Sequence, residues 1–468
     1  MSTQPAAPAA PRESTLDHQP SKEKTPWLLG GLCFLIPVLP TDVVLSGPLK
    51  SNGSPARMIA IIMFGLVALG FMVVRRTSRG RRVNPGTIVL LIYFLLWLLI
   101  YGVGLLSIDS QIVAANKTRA VIVLIADVGV GLFALSTVRT ARQRKIVLGC
   151  LLAGLAFACL VGLLQSVSSV DLRFLFQPPG FVLQVEDRPL VERMGARRVL
   201  GTSQHPIEFS ALAAVTIPLA IYFARNAATW YVRFLSVAAC GLATMAMPAA
   251  ISRTGVISLA AALLLYTFAF KVRQIIITVA AGAIMIGCYI IVFPQIANAL
   301  WNTILGSQDD PSIQSRTEHY MEVSRIFRAH PVFGLGLGGA PQYYDNEWLQ
   351  TIVQGGIIGI LALILLSFGT AFGVSAALRR ATTPTEREQA YMLGAVAVGI
   401  LMSSTAFDLL YYQQATLVFF IAFGLLWGPF TVPAPESQHH RFDRLLSSCS
   451  QVTFPRNARR RAANAIPT

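Results

Sequence analysis

Asp345 and Asn346 stand in "QYYDNEWLQ" (342–350), directly before a long apolar run. A carboxylate so placed can act as general base on a hydroxyl within hydrogen-bond reach, and Asn346 could orient it or touch a substrate. The same pair suits a helix start, because Asp and Asn are favoured N-caps and Glu347 would complement the helix dipole. Three arginines share the charged-at-the-lip placement. Arg253, in "AAISRTGVIS", joins two apolar runs with almost no loop; Arg198, in "RRVLGTSQHP", closes the first long loop just before an apolar run; Arg316 lies in "SIQSRTEHY". A guanidinium keeps its charge and can grip phosphate oxygens with a planar fork. Charges at membrane level are costly unless paired or hydrated, so each is a candidate for phosphate binding, for snorkelling, or for a structural ion pair with Glu208, Asp345 or Glu347.

His205 and His330 each precede a proline, and no third ligand shares a spacing with them, so they read as turn and cap residues rather than metal ligands. Tyr343, Tyr344 and Trp348, with Trp301, Tyr411 and Tyr412, suit an interfacial aromatic belt. Those in the outer loop, with the two histidines, are also possible glycan contacts. Asp127, in "VLIADVGVG", is an ionisable group inside an apolar run; it could relay protons or pair with a neighbouring helix. "GLGLGG" (334–339) has no Walker lysine and reads as a tight turn with close backbone approach.

The elements that must position these residues are membrane helices. Of 468 residues, 54% are hydrophobic and 13% charged, about half the charged share of a soluble domain. Apolar runs long enough to cross a bilayer recur near 27–40, 58–74, 86–106, 120–138, 146–166, 208–224, 234–250, 255–270, 274–292, 350–376, 390–406 and 415–430. An all-α polytopic membrane protein of about 12 spans is expected. The bundle would occupy 27–430, with long outer connections at about 167–207 and 293–349. The net charge of +16 does not indicate nucleic acid: Lys and Arg concentrate in the alternate loops on the side of the tails. By the positive-inside rule both termini are then cytoplasmic and the candidate residues face outward. The Pro/Ala-rich tail 1–26 is expected to be disordered. The basic tail 431–468 is expected to lie near anionic headgroups. No pair of the six cysteines falls in one outer loop, so no structural disulfide is expected.

The motifs now resemble a family. Asn346, nine residues, Gly356, two residues and Gly359 reproduce the spacing of a signature of the O-antigen ligase/O-antigen polymerase superfamily of bacterial envelope polysaccharide enzymes. "SRTEHYMEVSRIFRAHPVFGLGLGG", "ISRTGVISLA" and "RRVLGTSQHPIEFSALAA" are similar to its other segments, in family order. The resemblance implies a multi-pass protein of the bacterial plasma membrane, with its active site outward. It would move a glycan from a polyprenyl-pyrophosphate-linked donor to a glycan or lipid-glycan acceptor, without metal or cofactor and with inversion. Membrane lipids are its other expected partners. Arg198 and Arg253 match the arginines taken to hold the pyrophosphate, and Arg316 a further polar position. Asp345 stands where the ligase members carry histidine; it keeps the general-base role and leaves polymerase and ligase both open. Ile207 stands where the family has asparagine.

Two other classes are weighed beside this one. A lipid-linked glycan flippase or transporter would need broken helices at the midplane and deep ionisable groups, of which Asp127 is an example. A peptidoglycan-elongation-type polymerase would also use an outer-loop aspartate.

Overall fold

The computed structural model describes residues 25–46, 53–74, 83–107, 111–168, 173–184, 192–193, 196–305 and 311–428. The tail expectations, 1–26 and 431–468, lie outside these residues apart from Thr25 and Pro26. The chain runs through α1 (Trp27–Val38), β1 (Val43–Leu45), α2 (Pro55–Val74), α3 (Pro85–Gly104), α4 (Gln111–Thr137) and α5 (Ala141–Ser168). Next come β2 (Phe181–Leu183), β3 (Glu192–Arg193), β4 (Ala196–Arg197), α6 (Pro206–Asn226), α7 (Trp230–Ala249), α8 (Arg253–Thr267) and α9 (Val272–Val292). Last are α10 (Pro294–Leu305), α11 (Pro311–Ala329), α12 (Glu347–Arg380), α13 (Pro384–Ser403) and α14 (Gln413–Trp427).

A helix stands at every expected span. Eight are long and apolar enough to cross a membrane, while α1, α8 and α14 are apolar but shorter. α13 opens with Glu386, Arg387 and Glu388, which dilute its apolar run. Two features depart from the expectation. The connection 293–349 is not a loop: α10 and α11 occupy much of it. And the helices are joined by two antiparallel two-stranded ribbons, β1 with β2 and β3 with β4. The first ties the α1–α2 connection to the α5–α6 connection, where Arg173 and Asp42 form a buried ion pair at 2.7 Å.

α14 is the axis of the bundle. Every residue of it is buried, as a helix apolar on all sides requires, and it packs on α4, α13, α12 and α6. Small residues let backbones approach there: a Cβ on Gly424 would lie 2.4 Å from the Gly131 carbonyl oxygen of α4. That is how membrane helices associate without a hydrophobic drive between them. α9 is the opposite case. Only Tyr289 is buried, and its isoleucines face outward, as on a lipid-facing edge.

The helices alternate in direction, so their ends form two polar faces. At one, Arg225 pairs with Glu388 at 2.7 Å, Tyr266 donates to the same carboxylate at 3.1 Å, and the Asn84 amide donates to the Trp427 carbonyl at 2.8 Å. The other face holds the candidate residues.

Candidate functional site

Asn346 caps α12. Its side-chain oxygen accepts from the N–H groups of Trp348 (2.9 Å) and Leu349 (3.4 Å). The cap reading of this residue is therefore the structural one, and its amide is engaged with the helix rather than turned to a reacting group. Asp345 is different. It is exposed and sits at φ +49°, a conformation aspartate tolerates better than most residues. That backbone is held from outside the segment. The Asn346 N–H donates to Asp408 Oδ1 at 2.9 Å, and the N–H groups of Tyr344 and Asp345 also donate to this carboxylate. Glu347, buried, accepts from the Leu410 N–H at 3.0 Å and from the Thr351 hydroxyl at 3.0 Å, while its own N–H donates to the Ser404 carbonyl at 2.9 Å. The α13–α14 turn thus fixes the lip of α12 and leaves the Asp345 carboxylate facing out. Asp408 is 3% exposed, and burial, reinforced by the Asp345 charge, pushes its carboxyl up to about 7.

The same turn is pinned to α6. Glu208 accepts from the N–H groups of Gln414 (2.8 Å) and Ala415 (3.2 Å), capping α14, and from Gln204 N–H (3.1 Å). The Gln414 amide donates to the Ile36 carbonyl at 2.9 Å, and Ser203 donates back to Gln414 at 2.7 Å. His205 caps α6 through Nδ1, which accepts the Ile207 N–H at 3.2 Å, as its position before a proline predicts. Its ring lies 5.8 Å from that of Tyr412.

Arg198 reaches the turn between α7 and α8. Its Nε donates to the Ala250 carbonyl at 2.9 Å, beside a Val199 N–H to Ala249 carbonyl bond of 3.2 Å. The turn is strained: Ile251, fully buried, sits at φ +46°, an outlier for a β-branched side chain. Arg253 follows as the first residue of α8, half-buried. Two of the three arginines named for phosphate binding therefore meet at one braced, strained turn, a type of backbone that clusters at functional sites. Arg316 lies in α11, with its side chain outside the described residues.

Among the possible glycan contacts, Tyr343 is exposed and its ring lies 4.3 Å from that of Tyr411. Trp348 is half-buried. Tyr344 is fully buried against His319 and offers no surface to a ligand. His330 is exposed at the end of α11, where its carbonyl accepts the Gly334 N–H at 3.1 Å.

Gly356 explains the glycine spacing. Its φ of +54° and ψ of −142° break α12. The freed groups find partners in the 331–335 segment: Ile357 N–H to Pro331 carbonyl (2.9 Å), Ile358 N–H to Val332 carbonyl (3.2 Å), and Leu335 N–H to Val353 carbonyl (2.8 Å). "HPVFGLG" is thus the strap that satisfies a broken membrane helix. A transporter would aim such groups at a cavity; here protein backbone meets them.

Several site residues escaped the sequence reading. Asp408 acts on backbone far along the chain, and so does Glu208, which the sequence offered only as an ion-pair partner for an arginine. Lys117, buried, donates to the Gly104 carbonyl beneath the glycine-rich turn. Arg119 holds its guanidinium 5.6 Å over the Tyr411 ring. Asp127 and Arg57 are buried on the packed helices α4 and α2 within electrostatic reach of each other, which favours the pairing reading of Asp127 over a relay. The one local signal was the acidic Asp408 between two apolar runs. Among the described residues no group of three or more His, Cys, Asp or Glu converges as a metal site.

Fold and site together define a multi-pass membrane protein with a carboxylate and arginines on one face of its helix bundle. Residues 238–364 match the family described as O-antigen ligase. That segment is similar to O-antigen ligases, and the resemblance read from the motifs holds over it. The match includes Arg253, Arg316, Asp345 and Gly356, and leaves out Arg198 and His205. Comparison with curated proteins gives no match.

Proposed function

We propose that this protein is a glycosyltransferase of the outer face of the bacterial plasma membrane, moving a glycan from a polyprenyl-pyrophosphate carrier to an acceptor hydroxyl. The observation that carries this is the exposed Asp345 carboxylate, fixed at a helix lip by Asp408 and Glu347 inside the segment similar to O-antigen ligases. The bundle would cross the membrane about twelve times, with both termini cytoplasmic.

In the reaction the acceptor oxygen attacks the anomeric carbon from the face opposite the pyrophosphate. Its proton passes to an Asp345 carboxylate oxygen. The new carbon–oxygen bond forms as the bond to phosphate breaks, the electron pair leaves on the pyrophosphate, and the configuration inverts. Arg198 and Arg253, preset on the strained turn, stabilise the charge that develops on the leaving group. Tyr343 and Trp348 offer faces for the sugar.

The test is Asp345→Ala and Asp345→His in a host deleted for the gene, with surface glycan and lipid-linked precursors measured together. Asp345→Ala should lose surface glycan and accumulate the lipid-linked donor; normal transfer by an expressed Asp345→Ala protein rejects the base. Arg253→Lys keeps charge but not the fork, and should transfer poorly.

A further inference from the structure

The face opposite Asp345 has a pocket of its own. A cavity of about 360 Å³ opens between the end of α8 and the start of α13. Phe268 and Ala269 line it from one side, Leu378 of α12 and Arg387, Glu388 and Tyr391 of α13 from the other. Clefts of that size hold small ligands. Glu388 is buried, and among the described residues its side-chain partners, Arg225 at 2.7 Å and Tyr266 at 3.1 Å, both take Oε1. Oε2 is left to the pocket. The rings of Phe268 and Tyr391 stand near-parallel, tilted by 28° with centroids 6.5 Å apart. A cation lodged against both lies within about 6 Å of each centroid, the range over which a ring face attracts it. A carboxylate oxygen beside two ring faces therefore selects a cation that carries N–H donors. Arg387, exposed at the rim, sets the opposite requirement, because its fork suits phosphate oxygens. An ammonium and a phosphate held by adjacent residues describe one zwitterionic ligand.

The surroundings say where that ligand comes from. Phe268 is 69% exposed and Leu264, one turn earlier on α8, is 68% exposed, as on a helix flank that meets lipid. Ala269 and Leu378 carry the apolar surface into the pocket. Below it α8 and α12 close over α13: a Cβ on Gly394 would lie 3.1 Å from Leu265 and 2.8 Å from Val374. The pocket thus has a floor, and its ligand enters from the membrane edge with an apolar part against Leu264 and Phe268. A soluble zwitterion would leave those side chains uncovered.

We infer that this pocket seats the headgroup of a phospholipid with a primary ammonium, phosphatidylethanolamine, from the adjoining leaflet. The ammonium meets Glu388 Oε2 and the two rings, the phosphate meets Arg387, and an acyl chain follows α8. The seat stands apart from the transferase reading, since none of its residues lies on the face of Asp345.

The experiment is native mass spectrometry of the full-length protein in neutral detergent, titrated with dioleoyl phosphatidylethanolamine or dioleoyl phosphatidylglycerol. One phosphatidylethanolamine should bind more tightly than any further lipid. It should also bind more tightly than phosphatidylglycerol, which has the phosphate without the ammonium. Phe268→Ala should weaken that binding about threefold to tenfold, the effect of one cation–π contact. Arg387→Gln should weaken it by a similar factor. Ile284→Ala, exposed on α9, should leave it unchanged. Phe268 and Arg387 are both exposed, and melting temperatures without added lipid check that each variant is folded. Equal affinity for the two lipids, or unaltered phosphatidylethanolamine binding in either pocket variant, overturns the seat. A last arm adds free O-phosphoethanolamine at the concentration of the lipid, which should not displace it. Displacement would assign the pocket to a soluble phosphoamine and overturn the lipid assignment.

Discussion

At the residue scale the site is built from carboxylates with unequal environments. Asp345 is exposed, whereas Asp408 is buried and accepts the backbone N–H groups that set the Asp345 conformation. Asp408 carries a measurable cost. Its carboxyl is raised to about 7, above an unfolded value of about 4. Between those values the folded state binds the extra proton, so this group's contribution to stability is present at low pH. It is lost as pH rises from about 4 through about 7. Asp408→Asn keeps an oxygen for the Asn346 N–H and removes the titration. The melting temperature of the wild type relative to this variant should fall across that window, with a slope of at most about 1.4 kcal/mol per pH unit. A difference that does not change with pH rules out the buried-carboxylate account.

At the scale of elements, the helix α12 shows how much the sequence discloses and where it stops. Asn346 and Asp345 were legible because capping and chemistry use the same residue types at an apolar boundary. Gly356 was legible as spacing but not as a break, since hydropathy runs unchanged through it. Apolar length marks only the part of a helix that meets lipid. So Arg57, Lys117 and Arg119 read as loop residues, although α2 and α4 extend over them. α10 and α11 were missed for the same reason. Asp408 and Glu208 were illegible as pins because their partners lie 62 and 206 residues away. The break itself is testable. A Cβ at Gly356 would lie 2.5 Å from the Pro331 carbonyl oxygen, at a positive φ. Gly356→Ala should therefore cost about 2 kcal/mol or more in thermal stability and displace the 331–335 strap. Gly287→Ala, on lipid-facing α9 with nothing within 4 Å, should cost nothing. Equal melting temperatures for the two variants would show that the kink is not required.

At the scale of the whole molecule, the two polar faces of the bundle hold different groups, and the proposed topology assigns each a side of the membrane. One face is basic and holds Arg225, Arg379, Arg380 and Arg387 with the Glu388 ion pair. The other gathers Asp345, Glu347, Asp408 and Glu208 around the lip of α14, with Arg119, Arg198 and Arg253 on the same face. In the proposed topology, retention of Lys and Arg on the cytoplasmic side would put the first face inward. The carboxylates then lie outward, where a polyprenyl-linked glycan would be consumed. Single cysteines in a chain freed of its native ones report this directly. Tyr320→Cys, exposed on α11, should react with a membrane-impermeant maleimide on intact cells. Arg387→Cys, exposed at the start of α13, should react only after permeabilisation. The opposite pattern would put Asp345 in the cytoplasm, on the wrong side of the membrane for an acceptor awaiting export, and the transferase reading would fall with the orientation.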